Sequence, residues 1–164
     1  FAQPLQVQGP NGSAGAVLLS LADLPLSIRT RSYTGFEGPP PTYGPAIGPA
    51  TCNGVERLSI HEHPPQKGCS LLDYHLKLPN TPCTLTTAIG IRDGSKSAGV
   101  GFRVEVNGRV LFSQDLKPGS GWIPVEVDLA PYAGREIVLT LVTDALGEYN
   151  FDWAVWAEPK LVAR

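Results

Sequence analysis

The sequence predicts an all-β fold, an antiparallel β-sandwich of the jelly-roll type. Apolar and polar residues alternate with a period of two through most of residues 55–164, as on half-buried strands. No long segment has the 3.6-residue apolar period of a helix. The 18 glycines and 16 prolines are too many for a helical protein of 164 residues, because both residues interrupt helices.

The composition limits the classes of function. Hydrophobic residues make up 42% and charged residues 17% of the chain, which is typical of a folded domain. A net charge of −2 does not provide the basic surface that nucleic-acid binding requires. No apolar run reaches the ~20 residues of a membrane span. The absence of methionine is expected either of a processed, exported protein or of a domain cut from a longer one.

Residues 1–54 are expected to form an extended, Pro/Gly-rich N-terminal region. Residues 35–54 contain ten Gly or Pro in twenty positions, which indicates a long surface loop or a polyproline-like crossing. We expect this region to pack either on the sandwich or on a neighbouring molecule. Residues 55–164 are expected to form the sandwich itself, with about eight strands.

Local patterns predict the individual strands of the sandwich. Asn107-Gly108 lies between two alternating runs and predicts a two-residue hairpin turn, because a type I′ turn needs positive φ at both central residues. Residues 137–142 are nearly all apolar, which predicts a strand buried on both faces. The other predicted strands cover residues 72–78, 85–91, 100–106, 122–129 and 150–157.

Three stretches resemble a known family. They are GVGFRVEVNGRVLF at 99–112, GWIPVEVDLAPYAGREIVLTLVTD at 121–144 and NFDWAVWAEPKL at 150–161. They are similar to the galactose-binding-like jelly rolls attached to bacterial glycoside hydrolases and cell-surface proteins, and the nearest type is NPCBM. The resemblance implies a jelly-roll fold and carbohydrate binding, although a fold alone does not fix a ligand.

Aromatic side chains are the first candidates for ligand contacts, because sugars stack on exposed rings beside hydrogen-bonding groups. Trp153 and Trp156 are an odd number of residues apart and should lie on opposite faces of their strand. Trp153 continues the apolar alternation and is expected in the core, which leaves Trp156 as the exposed ring. Trp122, Tyr149 and Tyr43 are the other candidates, because they are expected on a polar face or in loops.

Oxygen-bearing side chains gather in the last inter-strand loop. Asp144, Glu148, Asn150 and Asp152 could supply the oxygen ligands that calcium requires. Related jelly rolls hold a structural calcium near their terminal strand, and the resemblance implies the same here. The alternative is that these residues cap turns and bind backbone groups. A structural calcium is the one cofactor that the sequence indicates.

Histidines and cysteines offer further candidates. His61 and His63 should share one strand face, a geometry that can bind zinc or copper but is also common among ordinary surface histidines. The three cysteines allow one intramolecular pair. In an exported protein we expect Cys52–Cys69, because a loop with no core of its own gains most from a tether.

These observations favour a non-catalytic, extracellular or cell-surface module that binds a polysaccharide or surface glycan. The alternative is a structural subunit of a surface filament or assembly, which would self-associate by adding its N-terminal arm to a neighbour's sheet. An enzyme is not expected, because the sequence contains no nucleophile elbow, phosphate loop or H-E-x-x-H motif.

Overall fold

The computed structural model describes residues 3–9, 14–24, 29–35 and 44–164. Within these ranges the chain forms twelve strands and two short 3₁₀ turns, Leu21–Asp23 and Ala130–Tyr132. The strands are β1 Leu5–Gln6, β2 Val17–Ser20, β3 Arg29–Thr34, β4 Ala46–Cys52, β5 Val55–His61, β6 Cys69–Lys77, β7 Cys83–Ile91, β8 Val100–Val106, β9 Arg109–Leu116, β10 Ile123–Asp128, β11 Glu136–Asp144 and β12 Ala154–Ala163. The predicted all-β fold is confirmed. None of the helices in the described part of the chain has the length and apolar character needed to cross a membrane.

The strands form two sheets that pack face to face. The first sheet has the order β1-β6-β11-β8-β9, and β3 also pairs with β6. The second sheet has the order β10-β7-β12-β5-β4, and β2 also pairs with β12. All of these pairs are antiparallel except β1 with β6. The structure is therefore the sandwich that the alternating pattern predicts.

The core lies between the sheets and follows the period of two. Leu72, Tyr74 and Leu76 of β6 are fully buried, and β8 contributes Phe102 and Val104 from the same sheet. In β11 the burial extends to consecutive residues, from Leu139 to Thr143, as the apolar run predicts. Each of these strands thus contributes its apolar side chains to a shared interior.

The Asn107-Gly108 turn joins β8 to β9 as predicted. Asn107 has φ 52° and Gly108 has φ 81°, the left-handed conformations that a type I′ turn requires. The Asn107 Oδ1 also accepts a hydrogen bond from the backbone N–H of Val138 at 2.9 Å. The turn is therefore tied to the neighbouring strand β11 as well as to its own hairpin.

The N-terminal region contributes strands to both sheets. β1 and β3 pair with β6, while β2 pairs with β12. Residues 46–52, expected as part of a long loop, form the edge strand β4 instead. Pro49 is tolerated there because an edge strand has one side without ladder hydrogen bonds. The extended arm is not confirmed, and the division of the chain at residue 54 stays a prediction.

The expected Cys52–Cys69 disulfide is wrong. Cys52 ends β4 in the second sheet, Cys69 begins β6 in the first, and both are free thiols, as is Cys83. The Cys52 thiol donates a hydrogen bond to the Ile91 carbonyl at 3.3 Å, and burial raises its pKa to about 11. Cys52 therefore acts as a small buried packing residue rather than as a tether.

Gly90 of β7 provides a test of this packing. A Cβ at Gly90 would lie 2.7 Å from Cys52 Sγ and 3.0 Å from Trp122 Cε3. We expect Gly90→Ala to lower the free energy of unfolding by about 1–3 kcal/mol, the usual cost of overpacking, as measured by urea denaturation. Gly48→Ala in β4 is the matched control, because a Cβ there meets no atom within 4 Å. Equal stability of the two variants would contradict the predicted clash.

Candidate functional site

Strand pairing in the second sheet gathers several polar and aromatic side chains beside one cleft. Ala154 of β12 pairs with Ile91 of β7, and Val155 pairs with His61 of β5. Arg92 follows Ile91 and Trp153 precedes Ala154, so these two residues are neighbours as well. The Arg92 backbone N–H donates to the Trp153 carbonyl at 3.0 Å.

We call this feature the Arg92 cleft. It has a volume of about 360 Å³. Its lining comprises Arg92, Trp153, His61, His63 and residues in the range 44–48 at the start of β4. Its walls therefore come from strand ends whose register is fixed by the sheet.

Arg92 is held against the Trp153 ring. The Arg92 guanidinium carbon lies 4.9 Å from the centroid of the Trp153 ring, a cation–π contact. The Arg92 Nε is buried and has no hydrogen-bond partner among the described residues. The neighbouring Asp93 carboxylate accepts hydrogen bonds from the backbone N–H groups of Asn53 and Gly54 at 2.7 and 2.9 Å. Asp93 therefore caps the β4–β5 turn.

The two histidines of the cleft each bind a backbone carbonyl. His61 Nε2 lies 3.3 Å from the Gly48 carbonyl oxygen, and His63 Nδ1 lies 2.8 Å from that of Pro64. Because a carbonyl only accepts, each of these nitrogens carries the proton. Burial lowers the pKa of His61, and the nearby Arg92 charge acts in the same direction, against hydrogen bonds to the backbone of Gly48 and Pro49. The His61 ring therefore favours its neutral form.

The expected roles of Trp153 and Trp156 are reversed. Trp156 is fully buried, its ring lies 5.3 Å from that of Phe102, and its Nε1 donates to Glu62 Oε1 at 3.0 Å. Trp153 is partly exposed and lines the Arg92 cleft. The alternation fails because β12 begins only at Ala154, and Phe151 has a left-handed φ of 59°.

Trp122 covers the face of the second sheet opposite the main core. It packs on a small cluster of Ala50, Cys52 and Val155, and its Nε1 donates to the Val55 carbonyl at 2.9 Å. The Arg57 guanidinium lies 5.6 Å from its ring centroid. Trp122 is partly buried and does not line the Arg92 cleft. A ligand contact at Trp122 therefore stays a prediction.

One of the two loop tyrosines predicted to contact ligand lies in the described part of the chain. Tyr149 packs edge-on against the His63 ring with a centroid separation of 5.9 Å, and this contact places it near the Arg92 cleft. Tyr43 lies outside the described residues. The ligand roles of both tyrosines stay predictions.

The four residues expected to bind calcium contact protein groups. Asp144 accepts from the Leu146 N–H at 2.9 Å and pairs with Arg103 at 3.4 Å, while Glu148 Oε1 accepts from Asn150 Nδ2 at 3.0 Å. Asp152 accepts from the Ser97 hydroxyl. No group of three or more His, Cys, Asp or Glu side chains among the described residues is arranged to hold a metal ion. In the described structure these residues bind protein groups, and a calcium site formed by them stays a prediction.

Asp152 stands directly before Trp153 and is fully buried. Loss of hydration, together with the charges of Glu148 and Asp144, raises its pKa to about 7 against the lowering effect of the Ser97 hydrogen bond. The Ser97 Oγ also accepts from the Gly99 N–H at 2.9 Å. Asp152 therefore ties the turn that carries Trp153 to the segment before β8.

A second cleft, of about 430 Å³, lies beside the residues that precede β7. Its lining falls in the ranges 6–9 and 79–81. These residues supply amides, a hydroxyl and backbone groups but no aromatic ring. The Arg92 cleft, beyond the other end of β7, is therefore the better candidate site.

Sequence reasoning missed Arg92 and assigned Trp153 to the core. Both residues stand at the end of an apolar run, and this position is the sequence signal that could have indicated them. Arg92 follows Ile91 directly, and Trp153 precedes Ala154. A prediction that β7 and β12 pair antiparallel would have placed these two residues as neighbours. That pairing joins segments far apart in the sequence, and no local pattern indicates it.

Comparison with known proteins identifies a family and a set of similar structures. The family model of the NPCBM/NEW2 domain matches residues 50–162. No curated protein matches the chain. The CBM51-2 and INT domains of Clostridium perfringens ZmpB, solved in complex with GlcNAc, are 19% identical with a TM-score of 0.58. That match covers 92% of this chain but only 32% of the ZmpB chain.

Two other similar structures are single carbohydrate-binding modules. CBM51 from Clostridium perfringens GH95, solved with methyl-galactose, is 18% identical with a TM-score of 0.59, and the match covers 87% of this chain and 98% of that one. TmCBM61, solved with β-1,4-galactotriose, is 13% identical with a TM-score of 0.51, covering 85% and 90%. At these identities the likeness establishes a shared fold.

The raised pKa of Asp152 predicts a pH-dependent stability. The folded protein holds a proton near pH 7 that the unfolded chain, with an ordinary Asp pKa of 3.8, has already released. Raising the pH from 4 to 8 therefore favours unfolding, by about 4 kcal/mol for this one group. We expect Asp152→Asn to lose this contribution, measured as the difference between the two proteins in urea unfolding across that range.

Glu126→Gln is the control for this measurement, because it removes an exposed carboxyl group of β10. Its stability curve should run parallel to that of the wild type. A constant difference between wild type and Asp152→Asn from pH 4 to 8 would contradict the assignment.

Proposed function

The chain belongs to the NPCBM/NEW2 domain family, and on this premise we propose that it is a non-catalytic carbohydrate-binding module of an extracellular or cell-surface protein. The observation that carries the proposal is the Arg92 cleft, in which an aromatic ring lies beside groups that form hydrogen bonds. Sugars are bound by this combination, since their C–H faces pack on rings and their hydroxyls need polar partners.

The backbone of β4 supports the same conclusion. Gly44 and Gly48 lie in one wall of the Arg92 cleft, and a Cβ built at Gly48 would meet no atom within 4 Å. There is therefore open space next to this wall, and a flat ligand can approach the backbone closely. A sugar ring has the size and shape for such an approach.

The turn before β12 supports a binding role for the rim of the cleft. Phe151 is a bulky residue in a left-handed conformation, with φ 59°, and 44% of its surface is exposed. Its ring lies 5.7 Å from the Trp153 ring in an edge-on arrangement. A strained backbone that exposes an aromatic side chain is costly for stability alone, and it favours a functional role.

Structural neighbours support carbohydrate as the class of ligand. CBM51 of Clostridium perfringens GH95 and TmCBM61 share the fold, and each was solved with a galactose-containing ligand. The described lining of the Arg92 cleft includes neither a carboxylate nor a hydroxyl or thiol nucleophile, which agrees with binding without catalysis.

The alternative of a structural subunit has weaker support. The strands β1, β2 and β3, which the alternative requires for addition to a neighbouring sheet, already pair with β6 and β12 of the same chain. Within the described residues, the N-terminal strands are thus committed to intramolecular pairing. Self-association through this region has no observation in its favour.

Replacement of Trp153 tests the proposal. We expect Trp153→Ala to raise the Kd of any glycan that the wild type binds by at least roughly 30-fold, about 2 kcal/mol, because a central aromatic contact is lost. A glycan array identifies the ligand, and isothermal titration calorimetry measures both proteins.

Phe112→Leu is the matched control, because Phe112 is an aromatic residue of β9 in the first sheet and does not line the cleft. It should bind like the wild type. Unchanged affinity of Trp153→Ala, with the fold intact by circular dichroism, would contradict the assignment of the cleft. Failure of the wild type to bind any glycan would contradict the function itself.

A further inference from the structure

The ionisable groups that line the Arg92 cleft give it a positive character. Arg92, His61 and His63 line it, and none of the other described residues of its wall is acidic. Three acidic residues adjoin the lining residues in sequence and are bound elsewhere: Asp93 to the β4–β5 turn, Glu62 to Trp156 in the core, and Asp152 to Ser97. A ligand in the cleft therefore meets a cation whose charge no carboxylate among the described lining residues balances.

Arg92 differs from the arginines that form ion pairs on this protein. Arg57 pairs with Glu158 at 2.6 Å, Arg103 with Asp144 at 3.4 Å, and Arg164 with Asp128 at 2.9 Å. Arg92 contacts a ring instead of a carboxylate, and its Nε is buried without a hydrogen-bond partner in the described structure. A buried donor without a partner costs free energy unless a ligand or water accepts from the group.

Contact with the Trp153 ring holds this guanidinium ready for an anion. A guanidinium held against an aromatic ring keeps its N–H donors, in the planar fork that matches a carboxylate. Because the side chain is already held by the ring, less rotamer entropy is lost on binding. The cation–π contact thus orients Arg92 without neutralising its charge.

The β4 wall complements the cation. The Gly48 carbonyl accepts from His61 Nε2, and a carbonyl oxygen keeps a second lone pair. Sugar hydroxyls can donate to such an acceptor, and a carboxylate cannot. The cleft therefore combines a site for an anion with a site for a hydroxyl, which is the combination of groups on an acidic sugar.

The size of the cleft suits a single sugar residue. Its volume of about 360 Å³ is near the lower end of the ~300–1,000 Å³ range of ligand pockets. A hexuronic acid residue, in which the carboxylate carbon is attached directly to the ring, fits this space.

We propose that the Arg92 cleft binds a hexuronic acid residue of a glycan and that Arg92 binds its carboxylate. This inference rests on the proposed function and specifies its ligand class. Trp153 then serves both as the ring that the sugar contacts and as the platform that positions Arg92, and the sugar hydroxyls bind the β4 backbone.

Titration of the full chain with matched sugars tests the proposal. The pairs are galacturonic acid with galactose and glucuronic acid with glucose, and the methyl ester of galacturonic acid removes the charge with little change in size. We expect at least one acid to bind about 10- to 100-fold more tightly than its neutral partner, as for a hydrogen bond to a charged group. The ester should lose this advantage, and added salt should weaken binding of the acid.

Variants of Arg92 test whether this residue causes the preference for the acidic sugar. Arg92→Gln should bring the affinity for the acid down to that for the neutral sugar, and Arg92→Lys should be intermediate, because an ammonium has no planar fork. Arg57→Gln is the matched control, since Arg57 pairs with Glu158 outside the cleft, and it should bind like the wild type. Thermal melting of each variant reports folding, and the ester comparison tests the proposal on the wild type alone.

The possible outcomes separate this inference from the proposed function. Equal affinity for acids and neutral sugars, or an equal effect of Arg92→Gln on both, overturns acid selectivity and leaves carbohydrate binding intact. Tighter binding of N-acetylneuraminic acid or galactose 6-sulfate than of either uronic acid overturns the hexuronic assignment. Absence of binding to every sugar and to a full glycan array overturns the proposed function as well.

Discussion

The register of β12 with its neighbours is the constraint on which the rest of the structure depends. Pairing of Ala154 with Ile91 and of Val155 with His61 brings β5, β7 and β12 to a common end, although their residues are far apart in sequence. Because side chains alternate strictly along a strand, a shift of one residue would turn each side chain to the opposite face of the sheet. The fold and the Arg92 cleft are therefore specified by the same hydrogen-bond ladder.

Trp156 helps to fix that register from the inside. It fills the core against Phe102, and its Nε1 binds Glu62, which is 1% exposed. A buried carboxylate and a buried indole N–H each need a partner, so a shifted register would leave both unsatisfied. Asp152 acts in a related way at the start of the strand, where its bond to Ser97 holds the turn. Both polar contacts lie next to the cleft, so its geometry is coupled to the stability of the second sheet.

Local patterns predicted much of the fold but little of the site. The Asn107-Gly108 hairpin and the doubly buried β11 follow from periodicity and turn chemistry. The Asn53-Gly54 turn carries the same signal, with φ values of 47° and 78°, yet the surrounding glycines and prolines favoured a loop, and β4 was missed. The prediction for Trp153 and Trp156 assumes an alternation that continues through Phe151. Phe151 has a left-handed backbone and lies outside the strand. A periodic pattern holds only while the backbone stays extended.

The charge state of the cleft depends on tertiary structure in a way that no local pattern reveals. In the sequence Arg92 stands directly before Asp93, which would be its natural partner. The structure assigns Asp93 to two backbone N–H groups of the β4–β5 turn and leaves Arg92 on the Trp153 ring. Arg92 follows the last residue of β7 and Asp93 lies in the turn after it, so their proximity in sequence does not make an ion pair. The β4–β5 hairpin, which local patterns do not predict, thus binds the Asp93 carboxylate that would otherwise neutralise Arg92. The positive charge of the cleft is therefore a consequence of β4.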